Sequence, residues 1–117
     1  MGRLTTHVLD AAHGCPGSSI HIVLYRVEGE RLEKVADAVT NSDGRCDAPL
    51  LQGDDYRSGV YQLQFQAGDY YRAKGVQLPA TAFLDVVVLR FGIDAAQDHY
   101  HVPLLISPYS YSTYRGS

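Results

Sequence analysis

Cysteine is scarce in this chain. Cys15 and Cys46 are the only two thiols in 117 residues, and neither falls in a Cys-x-x-Cys or Cys/His metal spacing. That leaves no basis for a disulfide scaffold or a zinc knot, and two free thiols are expected. An excess of one charge is missing too. Ten basic and thirteen acidic residues are mixed along the chain, giving a net charge of −3. Nothing there offers a basic stripe to nucleic acid or to an acidic membrane surface. No apolar run approaches the roughly 20 residues needed to span a bilayer, and the start of the chain lacks the charged-then-apolar pattern of a secretory leader. A soluble, cytoplasmic protein is therefore expected. Internal repeats and low-complexity segments are absent as well, and the length suits one domain, residues 1–117, around one core.

What the chain does have is alternation. Residues 5–9 are apolar and β-branched, and they lead into a Gly/Pro-rich loop over 10–17. Residues 19–27 set Ile20, Ile22 and Leu24 against His21, Val23 and Tyr25, and residues 60–67 set Tyr61, Leu63 and Phe65 against Gln62, Gln64 and Gln66. Such period-two patterns predict half-buried antiparallel strands. Residues 32–40 read as another strand. Asn41-Ser-Asp-Gly44 then carries a hairpin signal, with 45–50 as the returning strand, kept short or at an edge by Pro49. One or two helical turns are expected over 70–75, with Asp69 as cap and Gly75 as terminator. Residues 84–91 form a further apolar strand, 92–98 a loop, and the C-terminal block two more strands around Ser107-Pro108. About eight short strands and one short helix predict an all-β, two-sheet sandwich.

The last nineteen residues carry the densest chemistry. In strand register His99, His101, Pro103 and Leu105 share one face, and Tyr100, Val102, Leu104 and Ile106 the other. Both histidines therefore point the same way. Three readings of them stay open: a proton-transfer pair, a metal pair completed by a third ligand such as His7, or imidazoles merely hydrogen-bonded at an interface. His13 and His21 read as solvated side chains. Arg45 directly follows a turn, where arginines commonly face water. Arg115 lies beside Tyr114 and Gly116, close to the Ser117 carboxylate. Tyr109, Tyr111 and Tyr114 suit core or interface filling as well as binding.

Three stretches, Thr6-His-Val-Leu-Asp10, Asp43-Gly-Arg45 and the run from His99-Tyr-His-Val-Pro-Leu-Leu to the terminal Tyr-Arg-Gly-Ser117, resemble the transthyretin-like 5-hydroxyisourate hydrolases. The resemblance covers nearly the whole chain. It implies a transthyretin-like sandwich that hydrolyses 5-hydroxyisourate, the labile product of urate oxidation. Catalytic positions would fall on His7, Arg45, His101 and Ser117, and substrate binding on Arg45 and Tyr114, Arg115, Gly116 and Ser117. It further implies a homotetramer with its sites at the interface between dimers, a small-molecule substrate, and neither metal nor organic cofactor. The alternative is a transthyretin-type carrier of a small ligand, against which the retained histidines and the terminal tetrapeptide argue. Cys15, Gly17 and the pair Leu84-Asp85 depart from the usual family pattern, away from those positions.

Overall fold

Two strands with complementary alternation organise the molecule. β1 (Arg3–Asp10) buries Leu4, Thr6, Val8 and Asp10 and turns Arg3, Thr5, His7 and Leu9 the other way. β8 (His99–Ile106) buries Val102, Leu104 and Ile106 on the matching inner face. In the computed structural model, which describes residues 2–116, β1 and β8 lie parallel and in register, Thr5 opposite His101 and Arg3 opposite His99. β9 (Tyr111–Thr113) pairs with β8, while β2 (Cys15–Pro16) and β5 (Leu51–Gln52) share the other edge of β1. The second sheet is antiparallel, in the order β4 (Arg31–Val39), β3 (His21–Glu28), β6 (Gly59–Gln66), β7 (Val86–Ile93).

The core lies between the two sheets. Leu4, Val8, Leu104 and Ile106 from the first meet Ile22, Leu24, Leu63, Phe65 and Val87 from the second. Burial of each such side chain stabilises the fold by roughly 1.5–3 kcal/mol. The expected all-β, transthyretin-like sandwich is thus present, with nine strands among the described residues. The two that the sequence did not announce, β2 and β5, are each two residues long, too short to show a period. Among the described residues no helix is long and apolar enough to cross a membrane.

Two local expectations are corrected. Residues 45–50 form no returning strand. Asn41 Oδ1 accepts the backbone N–H groups of Asp43 (2.9 Å) and Arg45 (3.1 Å), and this closes a turn that throws the chain across to the first sheet. There Gly44 accepts the Val8 N–H at 2.8 Å and Leu50 donates to the Leu4 carbonyl at 2.8 Å, so the segment runs along β1. Gly44 is obligatory at this crossing: its φ is 76°, and a Cβ would collide with the Val8 carbonyl. The helix α1 (Ala67–Ala73) starts directly from β6, with Gln66 at its cap position. Asp69 lies in its first turn, bonded to Arg72 at 3.1 Å. Gly75, with φ 84°, ends it as expected.

Candidate active site

The parallel register of β1 and β8 places Arg3, Thr5 and His7 on the same outer sheet face as His99 and His101. The 41–50 crossing adds Arg45, which bridges to His7 across the strand edge. A cavity of about 430 Å³ opens on this face, lined among others by Arg3, Thr5, Arg45, Cys46, His99 and His101. His7 flanks it.

His101 is half-buried. Its Nδ1 lies 2.8 Å from Thr5 Oγ1, and its backbone carbonyl accepts the Gly116 N–H at 2.7 Å. Gly116 presses on the ring so closely that a Cβ there would come within 2.7 Å of Cδ2. Burial, followed by the charge of Arg45 and that of His7, holds the imidazole below the ordinary histidine range. At neutral pH it is therefore an uncharged base. The Nε2 of His7 lies 3.0 Å from the Asp43 carbonyl. A carbonyl only accepts, so this nitrogen carries a proton. Arg45 is exposed and takes part in none of the salt bridges among the described residues, which leaves its fork of donors available.

The terminal tetrapeptide divides between two places. Gly116 meets His101, whereas Tyr114 and Arg115 line a second cavity of about 410 Å³ with Tyr100 and Val102, on the inner side of β8. Arg115 stacks over the Tyr100 ring, its Cζ 4.2 Å from the centroid, and donates to the His99 carbonyl at 3.0 Å. Ser117 lies outside the described residues. Both cysteines are free. Among the described residues no group of three histidines, cysteines or carboxylates converges as a metal-ligand set, so His99 and His101 have no third donor there. Thr5 and Arg3 are not singled out by the sequence, and Cys46 reads there only as a free thiol. Thr5 sits two positions before His7, so strand period alone would have put it on the same face.

His13 is not merely solvated. Its Nδ1–H donates to Asp10 Oδ2 at 2.7 Å, and the hydroxyls of Tyr70 and Tyr71 donate to the same carboxylate at 2.8 Å each. Asp10 is fully buried.

A two-sheet sandwich with a histidine- and arginine-lined cavity on one outer face defines a transthyretin-like protein with titratable groups where a ligand can reach them. The chain belongs to the HIUase/Transthyretin family, whose model matches residues 4–116. It is 77% identical over 117 residues to the 5-hydroxyisourate hydrolase of Pseudomonas aeruginosa, covering all of this chain and 93% of that one. The structure of Klebsiella pneumoniae 5-hydroxyisourate hydrolase superposes with a TM-score of 0.81 at 34% identity, each chain covered in full. Sea bream transthyretin in complex with thyroxine superposes with a TM-score of 0.86 at 25% identity, covering 97% of this chain and 94% of that one.

Proposed function

We propose that this chain hydrolyses 5-hydroxyisourate to 2-oxo-4-hydroxy-4-carboxy-5-ureidoimidazoline in urate degradation, by adding water across the N1–C6 amide of the six-membered ring. The observation that carries the reading is the β1–β8 pairing, which sets His7, Arg45 and His101 around one outer face. The likeness to the Pseudomonas and Klebsiella hydrolases supports it.

His101, neutral at pH 7, takes a proton from water as the oxygen attacks C6. Arg45 supplies charged donors to the oxyanion that develops on the C6 oxygen. The imidazolium of His101 then returns its proton to N1 as the C6–N1 bond breaks, and the new carboxyl group ionises. His7, with its Nε2 proton engaged by the Asp43 carbonyl, contributes its Nδ1 to ordering the water. The terminal tetrapeptide belongs to the substrate site: Gly116 and Ser117 directly, and Tyr114 and Arg115 by fixing the tail. This scheme uses no metal or organic cofactor, and residues 1–117 act as one domain.

Assembly into a homotetramer, with the sites at the interface between dimers, is part of the same proposal. It is supported by the unpaired outer edges of β7 and β9 and by the exposed Phe83, Val86, Val88, Tyr109, Tyr111 and Tyr114. Sedimentation gives the mass, and cell fractionation tests the cytoplasmic location. The likeness to thyroxine-bound sea bream transthyretin favours a second reading, a small-ligand carrier.

One experiment separates the two. Ultraviolet decay of freshly generated 5-hydroxyisourate is followed with the wild-type protein and with His101→Asn, with and without chelator. Rapid, chelator-insensitive decay that the variant slows by at least ~10²-fold is expected. A folded tetramer that leaves the decay unchanged would transfer the case to the carrier.

A further inference from the structure

The contact between Thr5 Oγ1 and His101 Nδ1, at 2.8 Å, is built by the backbone. The two residues are register partners in the parallel β1–β8 pair, so their side chains leave the same face at adjacent positions. We propose that Thr5 is a positioning residue for the hydrolysis: its hydroxyl oxygen accepts the Nδ1 proton of His101 and so fixes the tautomer in which Nε2 holds the lone pair. The inference rests on the reading of His101 as the base.

A neutral imidazole has one ring proton, and a base acting through Nε2 must keep that proton on Nδ1. Nδ1–H then needs an acceptor. Threonine suits the task because its β-branched side chain is stiff at χ1 and holds Oγ1 in place. Its neutrality matters as much. A carboxylate at Nδ1 would favour the imidazolium and remove the base at neutral pH. Lining the same cavity as the ring are Arg3 from β1, His99 from β8, and Arg45, Cys46 and Asp47 from the crossing segment, and His7 acts on the ring from β1 beside Arg45. Burial, followed by Arg45 and His7, keeps His101 uncharged, which a hydroxyl partner leaves undisturbed. When Nε2 takes the proton of water, Nδ1–H stays on Thr5, and the ring need not turn before Nε2 returns that proton to N1. Gly116 closes against the Cδ2 edge of the same ring. His7 is held through its other nitrogen, with Nε2–H on the Asp43 carbonyl.

The test is nitrogen NMR of histidine-labelled protein alongside steady-state kinetics, on wild type, Thr5→Val and Thr5→Ser. The wild-type spectrum should show His101 as the Nδ1–H tautomer. Thr5→Val should mix the tautomers and lower kcat roughly 10- to 100-fold, as small misplacements of a reacting group do, with KM little changed. Thr5→Ser should restore both. An Nε2–H tautomer in active wild-type protein overturns the role of Thr5 alone, as does a Thr5→Val protein with wild-type tautomer and kcat. Wild-type protein that does not consume 5-hydroxyisourate overturns the assigned reaction instead, so the two failures are read separately.

Discussion

β1 presents two histidine-containing clusters with opposite characters. At its C-terminal end Asp10 is fully buried, and its two oxygens receive the backbone N–H groups of Ala12 and His13, the His13 ring and two tyrosine hydroxyls. On its outer face His7 and His101 each have one ring nitrogen bonded and the other without a partner among the described residues, and Arg45 stands beside them. Every group in the first cluster is satisfied, so the charge is fixed and its work is to hold α1 and the 11–14 turn on the first sheet. The second lacks that completion, and an imidazole kept neutral beside a guanidinium that forms no ion pair among the described residues is what a proton-transfer site requires. Burial drives both titrations, yet donors reverse its effect at Asp10 while cations reinforce it at His101.

The largest expected effect removes the support of the open cluster without touching the closed one. Deleting residues 114–117 takes away the Gly116 bond to the His101 carbonyl and the Arg115 bond to the His99 carbonyl. Turnover should be abolished while sedimentation still shows a folded oligomer. A truncated protein that remains active would show that the tail builds no part of the site. Asp10→Ala attacks the other cluster. It leaves the Tyr70 hydroxyl without its buried acceptor and Tyr71 with only the Ile106 carbonyl, 3.0 Å away, a loss of about 1–3 kcal/mol. Urea unfolding should register that loss, whereas turnover per folded molecule stays near wild type. A change below about 0.5 kcal/mol would mean that the network anchors nothing. The pH window follows from the direction of the shift. Burial pushes the Asp10 carboxyl up, but the hydrogen bonds from His13, Tyr71 and Tyr70 outweigh it and leave it below the usual carboxylate range. Its contribution is therefore complete above about pH 3.9, the unfolded value, and is lost as pH falls through the lower folded one.

The sequence made one cluster legible and hid the other for reasons of distance. Alternation alone put His99 and His101 on one face of β8, because period two is a property of a single strand. It could not pair β8 with β1, since the strands are 96 residues apart at Thr5 and His101 and no local signal sets a parallel register. Arg45 was legible as a turn residue but not as a neighbour of His7. The Asn41 side chain turns the chain towards the other sheet, so a hairpin signature ended in a crossing. The resemblance to a known family supplied those long-range placements. His13 looked solvated because Tyr70 and Tyr71, which complete its Asp10 partner, lie on a helix about 60 residues on. Asp10 itself was only three residues away, and an Asp three before a His in a Gly-rich turn was the signal that could have been used.

The smallest effect sharpens the comparison most, because it moves one cluster's titration and leaves the other's alone. In the proposed mechanism His101 must be neutral to act, so the acid limb of kcat/KM should fall below the ordinary histidine value of about 6.5. Arg45 is the second cause of that depression after burial. Arg45→Gln should therefore move the limb upward, towards but not to 6.5, in addition to lowering the rate, since burial and His7 still act on the ring. Asp10→Asn should leave it where it is. Stability has the same sign at His101 but a different window. The unfolded chain binds the proton more readily, so stability declines as pH falls from about 6.5 through the lower folded value, a range in which the Asp10 cluster is still intact. Two separate acid transitions, the upper one displaced by Arg45→Gln and the lower one removed by Asp10→Ala, are the expected record. An acid limb that stays in place in Arg45→Gln would mean that the guanidinium does not sense the His101 charge, and its part in the reaction would reduce to holding the substrate.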